Sequence, residues 1–328
     1  MNDRALKVLE QYELEVVGTR RARGAYILDT PQGTRILSDY TGSENKALFQ
    51  NRLMEQIRDG GYRKVDVILP NKEGGLISRD WEDNKYVVKE WYAGRECDTT
   101  SESEILAAVT NLARLHRLMH LTNEPELEKS FTAPSPLDEL HAQNAELKKI
   151  RSFIRKKNTK GEFERLFLDS FPVYFDQASE AEQLLGQQSG LGHISESTAR
   201  GSVCHGDYDH HHVLMSGYDM ATVNFECCRF DYQINDLYRF MRKILEKQDW
   251  NPRLGMRMLD HYVQIRPVSA KEKRLLYVRM LYPEKFRKLA NYYYGSNKAW
   301  ISRRFLDKLQ VMNRQQEKRE KFVKMLEK

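Results

Sequence analysis

The sequence predicts an α+β protein with a small β-rich lobe followed by a larger, mostly helical lobe. The first ninety or so residues contain short β-favouring runs separated by turns, whereas helical periodicity dominates after about residue 100. Two more strand-like runs, at residues 202–204 and 220–225, lie within the helical part. We therefore expect an N-terminal lobe over residues 1–92, with a sheet and one helix, and a helical C-terminal lobe over residues 93–328.

Composition excludes several classes of protein. The 328 residues are 40% hydrophobic and 30% charged, which does not fit a disordered or fibrous chain. We find neither an apolar run long enough for a membrane helix nor a secretion leader. Four cysteines, including the adjacent pair Cys227-Cys228, favour free thiols over a disulfide framework. The net charge of +6 is weak evidence for nucleic-acid binding. We expect a soluble protein that is cytoplasmic at synthesis.

In the N-terminal lobe, turn residues separate four β-favouring runs, and one amphipathic segment lies between the second and the third. Leu48, Leu53 and Ile57 give this segment an apolar side, so we expect a helix. A Gly-Gly pair at residues 60–61 is expected to end it. The predicted order is β-β-α-β-β. The elements are a hairpin of runs 25–28 and 34–37, the helix over 43–58, and strands over 65–69 and 85–90.

The C-terminal lobe begins with a helix start signal. Residues 101–104 have the pattern of a capping box, and apolar residues then recur at helical spacing. Residues 138–188 contain two helical patterns with a break near 158–161, and the pattern is helical from Asp236 to the end. Polar residues concentrate between the two strand-like runs, so we expect any chemistry there.

That polar segment reads His205-Gly206-Asp207, with His212 five residues after the aspartate and Asn224-Phe225-Glu226 farther on. It resembles the catalytic segment of kinase-like folds of the aminoglycoside phosphotransferase and choline kinase type, which carry His-Gly-Asp-x-x-x-x-Asn and then Asp-Phe-[Asp/Glu]. Other stretches resemble the spore-coat CotS family of endospore-forming bacteria, within the same superfamily. These stretches are residues 23–26, 91–98, 111–116 and 282–286. The resemblance implies a bilobal, protein-kinase-like fold.

Residue by residue, the resemblance is incomplete. Asp207 matches the catalytic aspartate, which orients and deprotonates the acceptor hydroxyl in such enzymes. His212 stands at the metal-binding asparagine, and Asn224 stands at the metal-binding aspartate. Mg²⁺ prefers oxygen ligands with at least one carboxylate, so both positions are weakened. Glu226, and Asp209 in the earlier loop, are carboxylates that could reach a metal by a shifted geometry.

The nucleotide-binding positions of the first lobe are also altered. In kinase-like folds a strand lysine holds the α and β phosphates, and here Ser38 stands at that position, with Arg35 as a stand-in if the alignment slips. Gln50 and Glu55 are the candidates for the glutamate that would pair with such a lysine. By resemblance Trp91 and Tyr92 line the adenine pocket, although aromatic residues at a lobe junction also fit a simple core.

Two further hypotheses concern the loop around Asp207, one of structural support and one of metal binding. His205 and Asp236 match residues that support the catalytic loop in the family, a role that does not require catalysis. The histidines of residues 205–212 are of a type that binds Zn²⁺ or Ni²⁺. Three consecutive histidines cannot all face one ion, however, and no zinc-type spacing accompanies them, so adventitious binding or none is the simpler reading.

We therefore expect a spore-coat or sporulation-associated pseudokinase that acts as a scaffold or interaction protein rather than as an enzyme. One alternative is an ATP-dependent phosphotransferase that uses Asp207 as base, with atypical metal ligands, on a hydroxyl group. Another is a sensor that binds a nucleotide without hydrolysing it. The residues predict no firm cofactor, and the resemblance implies ATP with Mg²⁺. The expected partners are other spore-coat or sporulation proteins, not nucleic acid or membrane, and assembly on the spore coat would follow synthesis.

Overall fold

The structure, a computed structural model, describes residues 3–22, 24–122, 124–187, 201–217, 219–295 and 303–327. Its contacts group the chain into two compact units. The first consists of Met1–Thr132, Ser197–Phe240 and His261–Arg266, and the second of the rest. This division differs from the lobe boundary expected at residue 92, which stays a prediction. None of the helices described has both the length and the apolar character that crossing a membrane requires.

The largest of the described sheets lies in the first unit and has five antiparallel strands in the order β1-β2-β3-β5-β4. β2 and β3 form the predicted hairpin. β1 was not predicted because its sequence, Gly-Thr-Arg-Arg-Ala, lacks the apolar alternation of a half-buried strand. The strands are β1 Gly18–Ala22, β2 Ala25–Thr30, β3 Gly33–Asp39, β4 Ser78–Arg79 and β5 Lys85–Glu90.

The two faces of this sheet pack against different helices. Val88 of β5 packs with Val8 of the 3₁₀ helix Asp3–Gln11. Its neighbour Val87 packs with Ala47, which lies on the helix that follows β3. Successive side chains of a strand point to opposite faces, so Lys89 shares the face of Val87. The side chain of Lys89 therefore lies on the face of the sheet that is covered by the helix after β3.

That helix, α1 Glu44–Asp59, agrees with the predicted segment. Ser43 caps it, since its hydroxyl accepts a hydrogen bond from the Lys46 amide at 3.2 Å, and Gly60 ends it. Leu53 and Ile57 are buried as expected, but Leu48 is 56% exposed.

Residues 65–69 do not form the regular strand that their apolar run predicts. They make only the isolated bridges Val65–Thr222 and Ile68–Lys89. The side chain of Asn51 on α1 takes both backbone groups of Ile68, with distances of 2.9 Å to its amide and 2.8 Å to its carbonyl. On the other side, Val67 and Leu69 do bond β5, through Glu90 N to Val67 O at 2.9 Å and Leu69 N to Val88 O at 2.8 Å. Asn51 therefore satisfies the backbone groups of Ile68 that point away from β5. Asp66 therefore lies in a braced, irregular segment beside the sheet.

The remaining elements include the two helices predicted over 138–188, which begin and end close to the expected residues. Short strands frame the polar segment: β7 pairs with β10, and β6, β8 and β9 form a three-stranded sheet. The strands are β6 Arg95–Glu96, β7 Val203–Cys204, β8 Val213–Ser216, β9 Asp219–Thr222 and β10 Arg229–Phe230. The helices are α2 Glu102–Leu118, α3 Pro125–Phe131, α4 Pro136–Lys156, α5 Glu162–Gln187, α6 Ile234–Lys247, α7 Pro252–Ile265, α8 Ala270–Leu281, α9 Glu284–Gly295 and α10 Arg303–Leu326.

The loop after β7 requires a glycine at residue 206. Gly206 has φ of 80°, a left-handed conformation, and a Cβ placed there would lie 2.0 Å from the carbonyl oxygen of Cys227. Gly217, in the turn between β8 and β9, has a similar φ of 63° but no heavy atom within 4 Å of the same position. Gly206 is therefore needed both for its left-handed backbone conformation and because the loop after β7 passes close to the carbonyl of Cys227.

This pair of glycines provides a matched test. Gly217→Ala is expected to lower the free energy of unfolding by about 1–2 kcal/mol, the cost of a left-handed non-glycine residue. Gly206→Ala adds a clash with backbone and should cost roughly 3 kcal/mol or more. Urea denaturation of both variants measures the difference. Equal losses in the two variants would contradict the close approach described for residue 206.

Candidate functional site

A cleft of about 480 Å³ lies in the first unit, within the range of small-molecule sites. Its wall combines apolar side chains near Trp91 with a polar end near Asn224. Another cavity, in the second unit, has room for about 20 Å³, which suits a single water molecule. The described residues lining the cleft are Ala22, Gly24, Ala25, Ile36, Ser38, Asp66, Lys89, Trp91, Glu96, His211, His212, Leu214, Val223, Asn224 and Glu226.

The polar end is organised around Lys89 of β5. Its ammonium group lies 2.6 Å from a carboxylate oxygen of Glu226 and 3.6 Å from one of Asp66. Lys89 is 4% exposed and Asp66 is 1% exposed, whereas the Glu226 side chain is 31% exposed. The oxygen of Asp66 that faces Lys89 also accepts a hydrogen bond from the backbone amide of Asn224 at 2.8 Å. One buried cation thus joins the sheet to the segment that follows β9.

The charges in this cluster are mutually dependent. Burial alone would lower the pKa of Lys89, but the two neighbouring carboxylates outweigh burial and raise it. Burial raises the pKa of Asp66, although Lys89 acts in the opposite direction. Asp66 is the larger of the two raising influences on the pKa of Lys89 although it lies farther away, because it is the more deeply buried acid, and Glu226 makes the shorter contact. We therefore treat Lys89 as charged, with both carboxylates as counter-ions.

Asp207, the predicted catalytic base, is held by a cation. Its Oδ1 forms an ion pair with the guanidinium of Arg239, which lies on α6 one turn after Asp236. Both side chains are partly exposed. In this arrangement, the carboxylate must leave Arg239, or share it, before it can accept a proton from a substrate hydroxyl.

The two residues at the metal positions bond to each other. Nδ1 of His212 lies 2.7 Å from the carbonyl oxygen of Asp207, and Nε2 lies 3.0 Å from the amide nitrogen of Asn224. A carbonyl oxygen only accepts hydrogen bonds, so Nδ1 carries the proton and Nε2 accepts from Asn224. The nitrogen lone pair that could bind a metal is therefore already engaged.

The kinase-like pattern implies Mg²⁺, and this donor set does not fit it. His212 offers an imidazole nitrogen engaged by Asn224, and Asn224 offers a neutral amide in place of a carboxylate. Mg²⁺ in proteins is held by carboxylate and phosphate oxygens in near-octahedral geometry. Glu226, which the sequence offered as a shifted ligand, instead faces the ammonium of Lys89. We therefore derive no catalytic step through a metal ion at this site.

The loop around Asp207 is braced from below by Asp236. This carboxylate accepts hydrogen bonds from the backbone amides of His205 at 2.6 Å and Gly206 at 2.9 Å, and from Nε2 of buried His116 at 3.1 Å. Burial would raise the pKa of Asp236, but these partners, His116 first, lower it. His205 in turn donates from Nε2 to the carbonyl of Val223 at 3.0 Å. These contacts are the kind of loop support that the sequence predicts for His205 and Asp236.

The other predicted nucleotide-binding residues divide into two groups. Ser38 and Trp91 line the cleft, and the hydroxyl of Ser38 has no hydrogen-bond partner in the described residues. Tyr92 is not brought to the cleft, because its hydroxyl lies 2.9 Å from the carbonyl of Val65 and braces the segment before Asp66. Arg35 points to the hairpin turn, where it bonds the carbonyl of Gln32 at 3.1 Å.

Of the two glutamate candidates on α1, only one faces inward. Gln50 is 1% exposed and Glu55 is exposed on the outer side of the helix. The match of Ser38 and Gln50 to the lysine and glutamate positions of the kinase-like pattern stays a prediction, and both of these side chains are neutral. Arg23, which begins one of the resembling stretches, lies outside the described residues.

The histidine-rich loop does not converge on one point. His211 bonds Glu96 at 2.6 Å, and His210 packs on the ring of His211 at a centroid distance of 3.9 Å. Within the part of the chain described here, Asp207, Asp209 and His212 have ligand atoms within 4.8 Å of one another. Arg239 already neutralises Asp207 in that group, so the cluster alone does not establish a metal site.

Sequence reasoning missed Lys89, Asp66 and Arg239. The first two carried a signal, since each is a charged residue inside a predicted apolar strand, and a buried charge requires a partner. Their partner Glu226, however, lies 137 residues after Lys89, and sequence pattern does not show which distant residues pair. Arg239 lies three residues after Asp236, on the same helical face, which places it beside whatever Asp236 supports.

Comparison with known proteins identifies the family of this chain. A family model described as "Spore coat putative kinase YutH" matches residues 6–326. The chain belongs to this family. The endospore coat-associated protein YutH of Bacillus subtilis (strain 168) is 29% identical over 139 residues, which are 42% of this chain and 40% of that protein. The YutH-family chain thus spans about two fifths of the curated relative that it matches.

Solved structures similar to the YutH-family chain are phosphotransferases. An aminoglycoside phosphotransferase from Alicyclobacillus acidocaldarius subsp. acidocaldarius DSM 446 has a TM-score of 0.84 at 17% identity, over 98% of this chain and 95% of that one. A spectinomycin phosphotransferase in complex with ADP and spectinomycin has a TM-score of 0.68 at 11% identity, over 94% and 92%. The predictions of a spore-coat family and of a bilobal, kinase-like α+β fold are confirmed.

The buried histidines of the YutH-family chain predict how its stability depends on pH. Burial lowers the pKa of His205 from 6.5 to about 4, and burial also lowers the pKa of His116. Between pH 6.5 and about pH 4, His205 binds a proton in the unfolded chain but not in the folded chain. The free energy of unfolding should therefore fall as the pH is lowered from about 6.5 to 4, by roughly 3 kcal/mol for His205.

Urea titrations at several pH values measure this slope. Between pH 6.5 and 4, His205→Gln should take up about one proton fewer on unfolding than the wild type. His116 still takes up its own proton on unfolding in this variant. The control is a comparison of wild type and His205→Gln at pH 8, where residue 205 is neutral in both the folded and the unfolded wild type. The difference at that pH measures the cost of the substitution apart from its titration. An unchanged slope in His205→Gln would contradict the buried, neutral state of His205.

Proposed function

We propose that this member of the spore-coat family is a pseudokinase, a kinase-shaped coat protein that acts through binding and does not transfer phosphate. The observation that carries the proposal is the hydrogen bond between His212 and Asn224 at 3.0 Å. It joins the two positions from which a kinase-like fold would hold its metal. Phosphoryl transfer depends on metal ions that neutralise charge on the β and γ phosphates, so loss of both ligands removes the main source of catalysis.

Two further features support the same proposal. Arg239 occupies the carboxylate of Asp207, which would otherwise act as base. Ser38 and Gln50 occupy the positions of the phosphate-binding lysine and its glutamate, and neither carries a charge. The supports of the loop, Asp236 and His205, are nevertheless in place. A chain that keeps the shape of the loop and changes its chemistry is suited to a scaffold or interaction role among spore-coat or sporulation proteins.

Incubation of the purified protein with radiolabelled ATP and Mg²⁺ tests this proposal. Phosphate release and transfer by the wild type should not exceed those of Asp207→Ala, because the described residues at the metal positions, His212 and Asn224, bond to each other and carry no carboxylate. Turnover by the wild type that disappears in Asp207→Ala would overturn the proposal in favour of a phosphotransferase with Asp207 as base.

A second candidate function is a nucleotide-binding protein that does not hydrolyse its ligand. The observation that favours it is the cleft itself, which is not filled by side chains between Ser38 and Asn224 and has a volume of about 480 Å³. Apolar residues such as Ile36, Trp91 and Leu214 line it beside the polar cluster. This combination of an apolar wall and a few charged groups is typical of small-ligand sites.

A thermal-shift titration tests nucleotide binding. ATP should raise the melting temperature in a concentration-dependent manner, because a ligand of the native state adds about 2.7 kcal/mol at one hundred times its Kd. The same titration with adenosine should give a smaller shift if the charged cluster contributes. A melting temperature that does not change with millimolar ATP would exclude this second function and would leave the scaffold proposal intact.

A further inference from the structure

The cation of the cleft lies on a different strand from the one that the kinase-like pattern predicts. Lys89 is on β5, whereas the expected position, Ser38, is on β3. The register pairs Ile36 with Lys89 and Ser38 with Val87, so Ser38 and Lys89 are diagonal neighbours on one face of the sheet. Diagonal neighbours in antiparallel strands are about 7–8 Å apart, within the reach of a long side chain. Lys89 can therefore deliver an ammonium group to the region that a lysine at residue 38 would serve.

We propose that Lys89 is the phosphate-holding residue of this cleft, and that a nucleotide binds through Lys89 without a divalent cation. The proposal rests on the nucleotide-binding function proposed above. Among the described residues that line the cleft, Lys89 is the one lysine or arginine. An ammonium group is a compact charge that binds phosphate well in protein sites.

The present partners of Lys89 show how a phosphate would enter. Asp66 is fixed, because it is 1% exposed and its Oδ2 accepts the backbone amide of Asn224. Glu226 is 31% exposed and lies on the short 3₁₀ helix Phe225–Cys227. Glu226 is therefore the exchangeable counter-ion: it can turn to solvent while a phosphate oxygen takes its place on Lys89.

The second carboxylate oxygen of Asp66 is closed off from the cleft space. Oδ1 is buried and has no hydrogen-bond partner among the described residues. A ligand in the cleft therefore meets the ammonium of Lys89 and the exposed carboxylate of Glu226 rather than this oxygen.

The metal positions explain why no divalent ion is needed. In this cleft the positions of the two metal ligands, His212 and Asn224, carry no negative charge and bond to each other. Lys89 provides the positive charge that Mg²⁺ would otherwise bring to the phosphates. A nucleotide free of metal carries more negative charge than its Mg²⁺ complex, so it is attracted more strongly by the ammonium of Lys89. The carboxylates of Asp66, Glu96 and Glu226 in the same lining oppose this attraction, and movement of Glu226 to solvent reduces their effect.

Calorimetric titration of the full chain with ATP, in Mg²⁺ and in EDTA, tests the inference. The Kd of the wild type should differ between the two conditions by no more than about threefold. Lys89→Met should weaken binding by about tenfold or more, since it removes a charge-assisted hydrogen bond. Lys85→Met is the matched control: it lies on the same strand, bonds the carbonyl of Gly42 at 3.1 Å and does not line the cleft, so binding should be unchanged.

Because Lys89→Met leaves Asp66 buried without its cation, it can fail to fold. Glu226→Gln then decides, since it removes the competing anion from a partly exposed position and should strengthen ATP binding by about threefold or more. The double variant His212→Asn with Asn224→Asp restores oxygen ligands at both metal positions. It should acquire the Mg²⁺ dependence that the wild type lacks.

The outcomes separate this inference from the proposals on which it builds. A wild type that binds ATP only with Mg²⁺, or a Glu226→Gln variant with unchanged or weaker binding, would overturn the role of Lys89 while nucleotide binding stands. Absence of any ATP binding would overturn both the inference and the second function, and would leave the absence of phosphate transfer untouched. Transfer of phosphate by the wild type, seen in the separate radiolabel assay, would overturn the pseudokinase proposal alone.

Discussion

The buried ammonium group of Lys89 is the interaction on which the cleft depends. It meets Glu226 and Asp66, and Asp66 also receives the backbone amide of Asn224. Removing one partner of a buried ion pair is costly, whereas replacing the whole group by apolar residues is often neutral or stabilising. Stability alone therefore does not account for this cluster. Its consequence is geometric, because it sets the position of the segment after β9 relative to β5 within the first unit.

A second set of contacts shapes the loop without taking part in chemistry. Asp236 accepts hydrogen bonds from two successive backbone amides and from His116, and the hydroxyl of Tyr262 bonds the other nitrogen of that ring at 2.6 Å. The side chains of this network, Asp236, His116 and Tyr262, are buried and hydrogen-bonded, an arrangement that favours rigidity. Asp207 therefore has a defined place whether or not it acts on a substrate. In this chain, the groups that hold the loop and the groups that would do chemistry are physically separate.

The sequence was sufficient to predict what depends on local pattern. Helix α1, the break between α4 and α5, the β2–β3 hairpin and the strands beside Asp207 follow from periodicity and turn residues. Strand β1 was not predictable because its sequence is polar. The course of residues 65–69 was not predictable either, since their backbone is shared between β5 and the side chain of Asn51, which is distant in sequence. In the site, the resemblance singled out residues 38, 212 and 224 as altered positions. Their roles stay predictions, while the structure brings His212 and Asn224 into contact. The pairings of Lys89 with Glu226 and of Arg239 with Asp207 needed coordinates, because they join residues 137 and 32 positions apart.

Charge pairing explains why the cleft is a poor place for Mg²⁺ and still a reasonable one for an anion. A divalent cation would have to bind where the neutral His212 and Asn224 bond to each other, or displace Arg239 from Asp207 or Lys89 from Glu226. Each displacement breaks an existing ion pair and leaves a positive group beside the incoming ion. For a phosphate to bind Lys89, only Glu226 has to move. Its side chain is already 31% exposed, and it would leave the ammonium group and be hydrated by water instead. The exchange conserves the number of anions on the ammonium, whereas insertion of a metal ion would leave a cation without its anion.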